Sequence, residues 1–250
     1  MTTTDRAAAF RALHHRDPQG PDGPLVLPGP WDAATARIFA DAGFRALATP
    51  SAGVSASLGY ADGSAPADEM FAAIARIVRA VAADGIAVSA DVEDGYGLPA
   101  REFVDRLLAT GAVGCNLEDT ERGTGRLKEP QEQADWLAAV RAEAGDALVI
   151  NARVDTFLKG IGEVEPALER GRLYVAAGAD CVYPILAPGE ALAAVAAGVG
   201  APVNALAMRG GPTPRELGAL GAARVTFGGG LHREAMGAVE AIAARLKPAG

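Results

Sequence analysis

The chain has 250 residues, half of them apolar, and a formal net charge of −8. The acidic balance argues against a broad nucleic-acid or anionic-membrane surface, and no apolar run approaches the length needed to span a bilayer. One large core is within reach, and α/β barrels routinely fill this length as a single domain.

The first fifteen residues, MTTTDRAAAFRALHH, hold Arg6 and Arg11 and lack an apolar h-region. They read as a short amphipathic helix with His14 and His15 on its surface, not as a signal peptide. With two cysteines, Cys115 and Cys181, each inside an apolar run, there is no disulfide framework or zinc spacing. The expectation is a cytoplasmic protein with buried thiols.

Eight short apolar runs follow in order: LVLPG from Leu25, RALAT from Arg45, IAVSAD from Ile86, VGCNLED from Val113, ALVINAR from Ala147, DCVYPIL from Asp180, PVNAL from Pro202 and ARVTFGG from Ala223. Helix-like segments lie between them. In WDAATARIFADAG the positions Trp31, Ala34, Thr35, Ile38, Phe39 and Ala42 fall on one face, and Gly43 stops the helix. Asp68 and Glu69 suit the N-terminus of the helix running to Asp84. In AREFVDRLLATG, Phe103, Val104, Leu107 and Leu108 make the apolar face, ended by Gly111. Strands alternating with helices imply parallel strands with right-handed crossovers. Eight such units without a composition break predict an α/β fold, a (β/α)8 barrel forming one domain over 1–250. The alternative is an open doubly wound sheet, which lacks a G-x-G-x-x-G after the first strand to support it.

Barrel active sites lie at the C-terminal strand ends. The second strand leads to Asp62, the third ends in Asp91 and Glu93, the fourth in Glu118 and Asp119, and the fifth in Arg153 and Asp155. Strand alternation places Asp91 with Glu93, Asn116 with Glu118, and Asn151 with Arg153. If those faces point inward, several carboxylates and a guanidinium converge. Converging carboxylates call for a cation, and a hard, oxygen-rich set suits Mg²⁺ or Mn²⁺. Arg153 would then clamp an anionic substrate. The competing reading is a salt-bridge network at the rim without a metal.

The segments LPGPWDAATARIFADAGFRALATPSAGVSASLGYADG, ADVEDGYG, GCNLED and INARVDTFL, over roughly residues 25–160, together resemble the isocitrate lyase and phosphoenolpyruvate mutase superfamily. The resemblance implies a (β/α)8 barrel whose last helix is swapped between subunits of a homodimer or homotetramer. It further implies Mg²⁺ holding a 2-oxo acid or its enolate, beside which a C–C or P–C bond is made or broken. It puts Asp91, Glu93 and Glu118 at the metal, Glu118 through a metal-bound water. Glu93 stands where Asp is usual. Asp62 falls beside the metal and substrate, and Arg153 on the substrate. The backbone N–H groups of Gly53 and Val54 fall on the substrate carboxylate or enolate oxygen. The expected ligand is a small carboxylate.

The chain departs from the family in the loop after the fourth strand, TERGTGRLKEPQEQ. It has neither the Lys-x-Cys-Gly-His of the isocitrate-type lyases nor the Lys-Thr-Asn of the phosphonate mutases. Glu121, Arg122, Thr124 and Arg126 are the polar residues available there to a closing loop. A carbon–carbon lyase is the leading expectation. Phosphonate mutase, 2-oxo acid hydrolase, a metal-dependent aldolase of another barrel family and a non-catalytic acid-binding barrel are the alternatives. Other candidates carry structural readings: Trp31 as a core anchor, His232 after the GGG of the last strand as part of a packed turn, and Tyr96 beneath the metal loop.

Overall fold

A run such as Ala46–Leu47–Ala48 has no polar face, so it must be covered on both sides. In the computed structural model, which describes residues 2–247, all eight predicted strands form and all pair in parallel. They are β1 (Leu25–Val26), β2 (Ala46–Ala48), β3 (Ala87–Asp91), β4 (Gly114–Glu118), β5 (Val149–Val154), β6 (Cys181–Pro184), β7 (Asn204–Leu206) and β8 (Arg224–Thr226). The helices are α1 (Thr3–Leu13), α2 (Ala33–Asp41), α3 (Ser51–Ser57), α4 (Ala67–Val81), α5 (Ala100–Ala109), α6 (Pro130–Ala144), α7 (Val164–Ala176), α8 (Gly189–Gly198), α9 (Pro214–Ala219) and α10 (Gly230–Leu246). Met1 and residues 248–250 of the expected 1–250 domain lie outside the described residues.

The strands order as a curled five-stranded sheet, β2-β3-β4-β5-β6, and a three-stranded sheet, β1-β8-β7. The chemistry of the two seams explains the division. At one, Pro28 accepts from Ala48 N–H at 3.1 Å but has no N–H to return. At the other, Pro202 accepts from Val182 N–H at 3.0 Å, and Val182 bridges Val203. A proline at each seam thins the ladder there.

The large core lies between the strands and their helices. Ile74, Ile77, Leu107, Leu137 and Ile150 are among its fully buried members. A second cluster, with Phe10, Leu27, Val113 and Val149, sits where α1 covers the N-terminal strand ends. Gly114 is required here: a Cβ on it would lie 2.9 Å from the Phe10 ring. Arg11 ties α1 down through Asp180 at 2.6 Å and the Leu148 carbonyl at 2.8 Å.

Two expectations change. The inward side of α2 is Ala36, with Phe39 and Ala40 packed against the core, while Ala34, Ile38 and Ala42 are exposed. Only the Arg37–Asp41 pair marks a polar side on this short, alanine-rich helix, so several apolar positions compete for the interior and the contact with α4 decides between them. His14 is buried, not on the surface. It ends α1, its Nδ1 lies 3.0 Å from the Phe10 carbonyl, and its Nε2 lies 3.5 Å from Arg224. The helix termination turns its ring under the strands; His15 is exposed as expected. The last helix, α10, has no buried residue, and Val239, Ile242 and Leu246 face outward. Among the described residues no helix is long and apolar enough to cross a membrane.

Candidate active site

The C-terminal strand ends open into a cavity of about 630 Å³ whose polar lining includes Ser51, Asp62, Asp91, Asn116, Arg153 and Tyr183. Strand register builds its floor. Asp91 lies opposite Asn116, Asn116 opposite Asn151, and Glu118 opposite Arg153.

Asp91 ends β3. Its N–H donates to Thr49 Oγ1 at 3.1 Å, and its Oδ2 accepts from Ser51 N–H at 3.2 Å. Its Oδ1 is buried without a hydrogen-bond partner. Burial pushes its pKa up, opposed mainly by Arg153. An ionised oxygen without a partner is costly away from water.

Glu93 comes to the same region by a different route from the one expected. Strand geometry ends at Asp91, and Glu93 adopts a left-handed backbone, φ +53°. A turn, not alternation along a strand, brings its side chain back. It is buried, with Oε2 2.9 Å from Arg122 Nε and Oε1 without a partner. Burial raises its pKa to about 7 against the opposing Arg122 charge. The third carboxylate of the stretch, Asp94, is spent on the turn. It accepts from Tyr96 N–H at 3.0 Å and Arg122 N–H at 2.9 Å. Gly95 has φ +84°, and a Cβ there would come within 2.4 Å of the Trp136 ring. Tyr96 packs edge-on to Phe71 and under the Arg122 guanidinium, beneath the loop.

Glu118 and Arg153 are paired at 2.5 Å. Burial pushes Glu118 up to about 8, opposed by Arg153. Arg153 also makes a two-pronged contact with Asp155 at 2.6 and 3.0 Å. Asp155 in turn accepts from Thr120 Oγ1, and its N–H donates to Asp119. Asp119 is held by Arg170 and Tyr174. This chain of contacts fixes the arginine rotamer. Sequence reasoning noted Asp119 and Asp155 as strand-end residues without a role and missed Arg170 and Tyr174. They are ordinary helix positions on α7, with no local signal.

Asp62 is exposed on the cavity wall, in the α3–α4 connection. Gly53 and Val54 are placed differently from expectation. Both are buried within α3, and Val54 N–H is used by the Pro50 carbonyl at 3.0 Å. A Cβ on Gly53 would lie 3.0 Å from Pro50 and 3.2 Å from His232, so this glycine serves packing. Ser51 and Ala52, earlier in the same turn, reach the cavity instead. Trp31 is a core residue set edge-on to His232 at 5.1 Å.

The loop after β4 folds back on itself through a Thr120–Leu127 bridge. Its inward residue is Arg122. Besides Glu93, Arg122 donates to the carbonyls of Gly63 at 2.7 Å and Ala65 at 2.5 Å. It thereby ties this loop to the connection carrying Asp62. Glu121, Thr124 and Arg126 bond among themselves, in part exposed. Arg122→Met is expected to release the loop, with tryptic cleavage at Arg126 and Lys128 accelerated about tenfold, since charged hydrogen bonds of this kind are lost. Cleavage rates equal to wild type would contradict that role.

Among the described residues, no group of three or more His, Cys, Asp or Glu side chains is arranged to hold an ion by itself. Glu93 and Glu118 each face an arginine, and of the three expected ligands only Asp91 borders the cavity. The partnerless Asp91 Oδ1 and Glu93 Oε1 are nevertheless hard oxygen donors lacking a cation or proton donor. They fit an ion that keeps several of its waters, as Mg²⁺ does.

Comparison with known proteins identifies the family. The family model described as phosphoenolpyruvate phosphomutase matches residues 10–247. An uncharacterized protein of Mycobacterium tuberculosis (strain ATCC 25618 / H37Rv) is 35% identical over 222 residues, covering 88% of this chain and 81% of its own. A 2-methylisocitrate lyase of Aeropyrum pernix is 31% identical over 168 residues, covering 64% of this chain and 53% of that enzyme. The structure of an oxaloacetate acetylhydrolase in complex with the product oxalate superposes with a TM-score of 0.85 at 26% identity, covering 97% of this chain and 87% of that one. The chain therefore belongs to the phosphoenolpyruvate phosphomutase family, within the isocitrate lyase and phosphoenolpyruvate mutase superfamily of lyases, phosphomutases and an oxaloacetate hydrolase.

Proposed function

We propose that the protein is a Mg²⁺- or Mn²⁺-dependent enzyme that cleaves a carbon–carbon bond in a small 2-hydroxy or 2-oxo carboxylic acid through an enolate. The observation that carries this reading is the partnerless, buried Asp91 Oδ1 on the wall of a cavity that Arg153 also lines. Asp91 would hold the ion, with Glu93 and Glu118 behind it. The ion would supply Lewis-acid stabilisation of an oxygen that becomes negative as the bond breaks. Arg153, its rotamer locked by Asp155 and Glu118, orients the substrate carboxylate. The Ser51 amide holds Asp91 in place. With a 2-hydroxy acid, Asp62, on the solvent side, accepts the hydroxyl proton. The C–O bond becomes a carbonyl as the C–C bond breaks, and the electron pair passes to the carbon beside the departing fragment's carboxylate as an enolate, which takes a proton from water. With a 2-oxo acid, a water activated by Asp62 adds to the carbonyl before the same cleavage.

The fold completes this reading. The one-way hydrogen bonds at Pro28 and Pro202 support closure of the eight strands into a barrel. The outward apolar residues of α10 support docking of that helix on a second subunit in a homodimer or homotetramer.

The test is a product screen. Short 2-hydroxy and 2-oxo dicarboxylic acids and phosphonopyruvate are incubated with the protein and Mg²⁺, and products are followed by NMR. Cleavage of an acid into two smaller products, abolished by EDTA and restored by Mg²⁺, is expected. Phosphonopyruvate rearrangement, or hydrolysis without a C–C lyase product, would move the assignment to mutase or hydrolase. No turnover of any acid would leave the enzyme reading overturned in favour of a binding protein.

A further inference from the structure

Asn116 sits on the cavity floor between Asp91 and Asn151. Its Oδ1 receives two donors, Asn151 Nδ2 at 2.7 Å and Arg224 Nη2 at 3.2 Å. Both donors belong to fully buried side chains. An amide carries its oxygen and its NH₂ on opposite arms, so pinning the oxygen into the interior commits the NH₂ to the other side. Among the described residues that NH₂ has no protein acceptor, and the cavity is what it faces.

Arg224 makes this orientation firm. It comes from β8, and its guanidinium reaches Ser89 Oγ at 3.2 Å, Asn116 and the edge of His14. Its Nε has no partner, and among the described residues no carboxylate pairs with it. A buried cation without a counter-ion is expensive. Asn151 could turn with a rotated Asn116, since its own Oδ1 is buried without a partner, but Arg224 has only donors and would be left facing the Asn116 NH₂ in a dry interior. The arginine therefore selects one of the two amide orientations.

We propose that Asn116 is a hydrogen-bond donor to an oxygen of the anionic ligand in this cavity, and that Arg224 is the positioning residue that sets its orientation. This rests on the reading that the cavity takes a small carboxylate, but not on the metal. Strand alternation puts Asn116 on the face of Glu118, but its amide orientation leaves no mark in the sequence, because the neighbours that set it come from β5 and β8.

Oxalate is the probe. Its dissociation constant is measured by calorimetry with and without Mg²⁺, alongside the melting temperature, for wild type, Asn116→Asp, Asn116→Ala, Arg224→Met and Arg224→Lys. Asn116→Asp exchanges the donor for an acceptor but gives Arg224 a counter-charge. It is expected to weaken oxalate binding by about tenfold or more while the melting temperature holds or rises. Asn116→Ala weakens binding to a similar degree. Arg224→Met is expected to weaken oxalate binding about tenfold without a matching loss of stability, and Arg224→Lys restores most of it. Wild-type affinity in Asn116→Asp, or an Arg224→Met defect that only follows its melting temperature, would overturn the proposal. So would a wild type that takes no oxalate in either condition. Oxalate binding that needs no Mg²⁺ but is lost in Asn116→Asp would uphold the proposal and overturn the metal-dependent reading instead.

Discussion

Asp91→Asn is expected to make the metal-free protein more stable and the enzyme inactive. Asp91 Oδ1 is buried with no donor, while Oδ2 keeps the Ser51 amide. Asparagine has the same shape, retains an acceptor for that amide and removes the buried charge. Relief of one such group is worth roughly 1–2 kcal/mol, which for a chain of this size raises the melting temperature by about 2–8 °C. The gain has a definite pH dependence. The folded-state pKa of Asp91 lies above its ordinary value because of burial. Its stability contribution is therefore full below the unfolded pKa and is lost as pH rises through the folded value. Asparagine mimics the protonated form, so its advantage grows with pH. On the proposed metal-dependent reading, turnover should drop about 10³-fold, because the variant would lose the anchor of a Lewis acid supplying several kcal/mol. The Mg²⁺-dependent part of the oxalate stabilisation should vanish. Thermal melts in EDTA, then with Mg²⁺ and oxalate, check both arms. A variant that melts lower than wild type in EDTA and still responds to the metal would show Asp91 to be a structural carboxylate.

The alternation of apolar runs with helical segments predicts all eight strands, because parallel strands covered on both faces read as mostly apolar runs even where they carry buried polar residues such as Ser89, Asn116, Asn151 and Arg224. Asp91 and Arg153 lie within strands and so obey simple alternation, and both border the cavity. The reading lost accuracy where the chain leaves regular structure. Glu93 shares a region with Asp91 through a left-handed turn that DGYG makes possible, not through a shared strand face. The cavity meets Ser51 and Ala52, two residues before Gly53 and Val54, because α3 begins directly at Ser51. Arg122 was visible only as one of several polar loop residues. Its partners, the carbonyls of Gly63 and Ala65, are backbone atoms 57 to 59 positions away and leave no mark in sequence. Ala34, Ile38 and Ala42 were misplaced because an alanine-rich helix offers more than one plausible apolar face. Arg224 lies inside the run ARVTFGG, where nothing local singles it out. Only the geometry of the interior reveals that it crosses to Ser89 and Asn116.

His14 should be the residue that sets the acid sensitivity of the fold. Burial, with the Arg224 charge beside it, lowers its pKa from 6.5 to about 3. The Phe10 carbonyl and Asp180 act in the opposite direction, and His15 adds slightly to the lowering. The imidazole is therefore neutral in the folded protein, while the unfolded chain takes up a proton below about pH 6.5. The unfolded state binds more protons throughout the window between the two values. The stability contribution of His14 is thus intact above pH 6.5 and is lost as pH falls towards 3, with a limiting slope of about 1.4 kcal/mol per pH unit. His14→Gln keeps a donor for the Phe10 carbonyl and an acceptor near Arg224 but cannot titrate. At pH 7 it should be slightly less stable than wild type; between pH 6 and 4 its stability should fall less steeply by roughly 1 kcal/mol per unit. Asp91, Glu93, Glu118 and Asp119, whose pKa values burial raises, favour the folded state as pH falls. That opposing contribution is common to both proteins and cancels in their difference. Urea unfolding at pH 7, 6, 5 and 4 gives the difference directly. Parallel curves would mean that His14 is protonated in the fold, which requires Arg224 to have moved away from it. Arg224→Met in the same series then supplies the complementary result: with the cation removed, the pKa of His14 rises towards 6.5 and the acid slope of the wild-type ring diminishes.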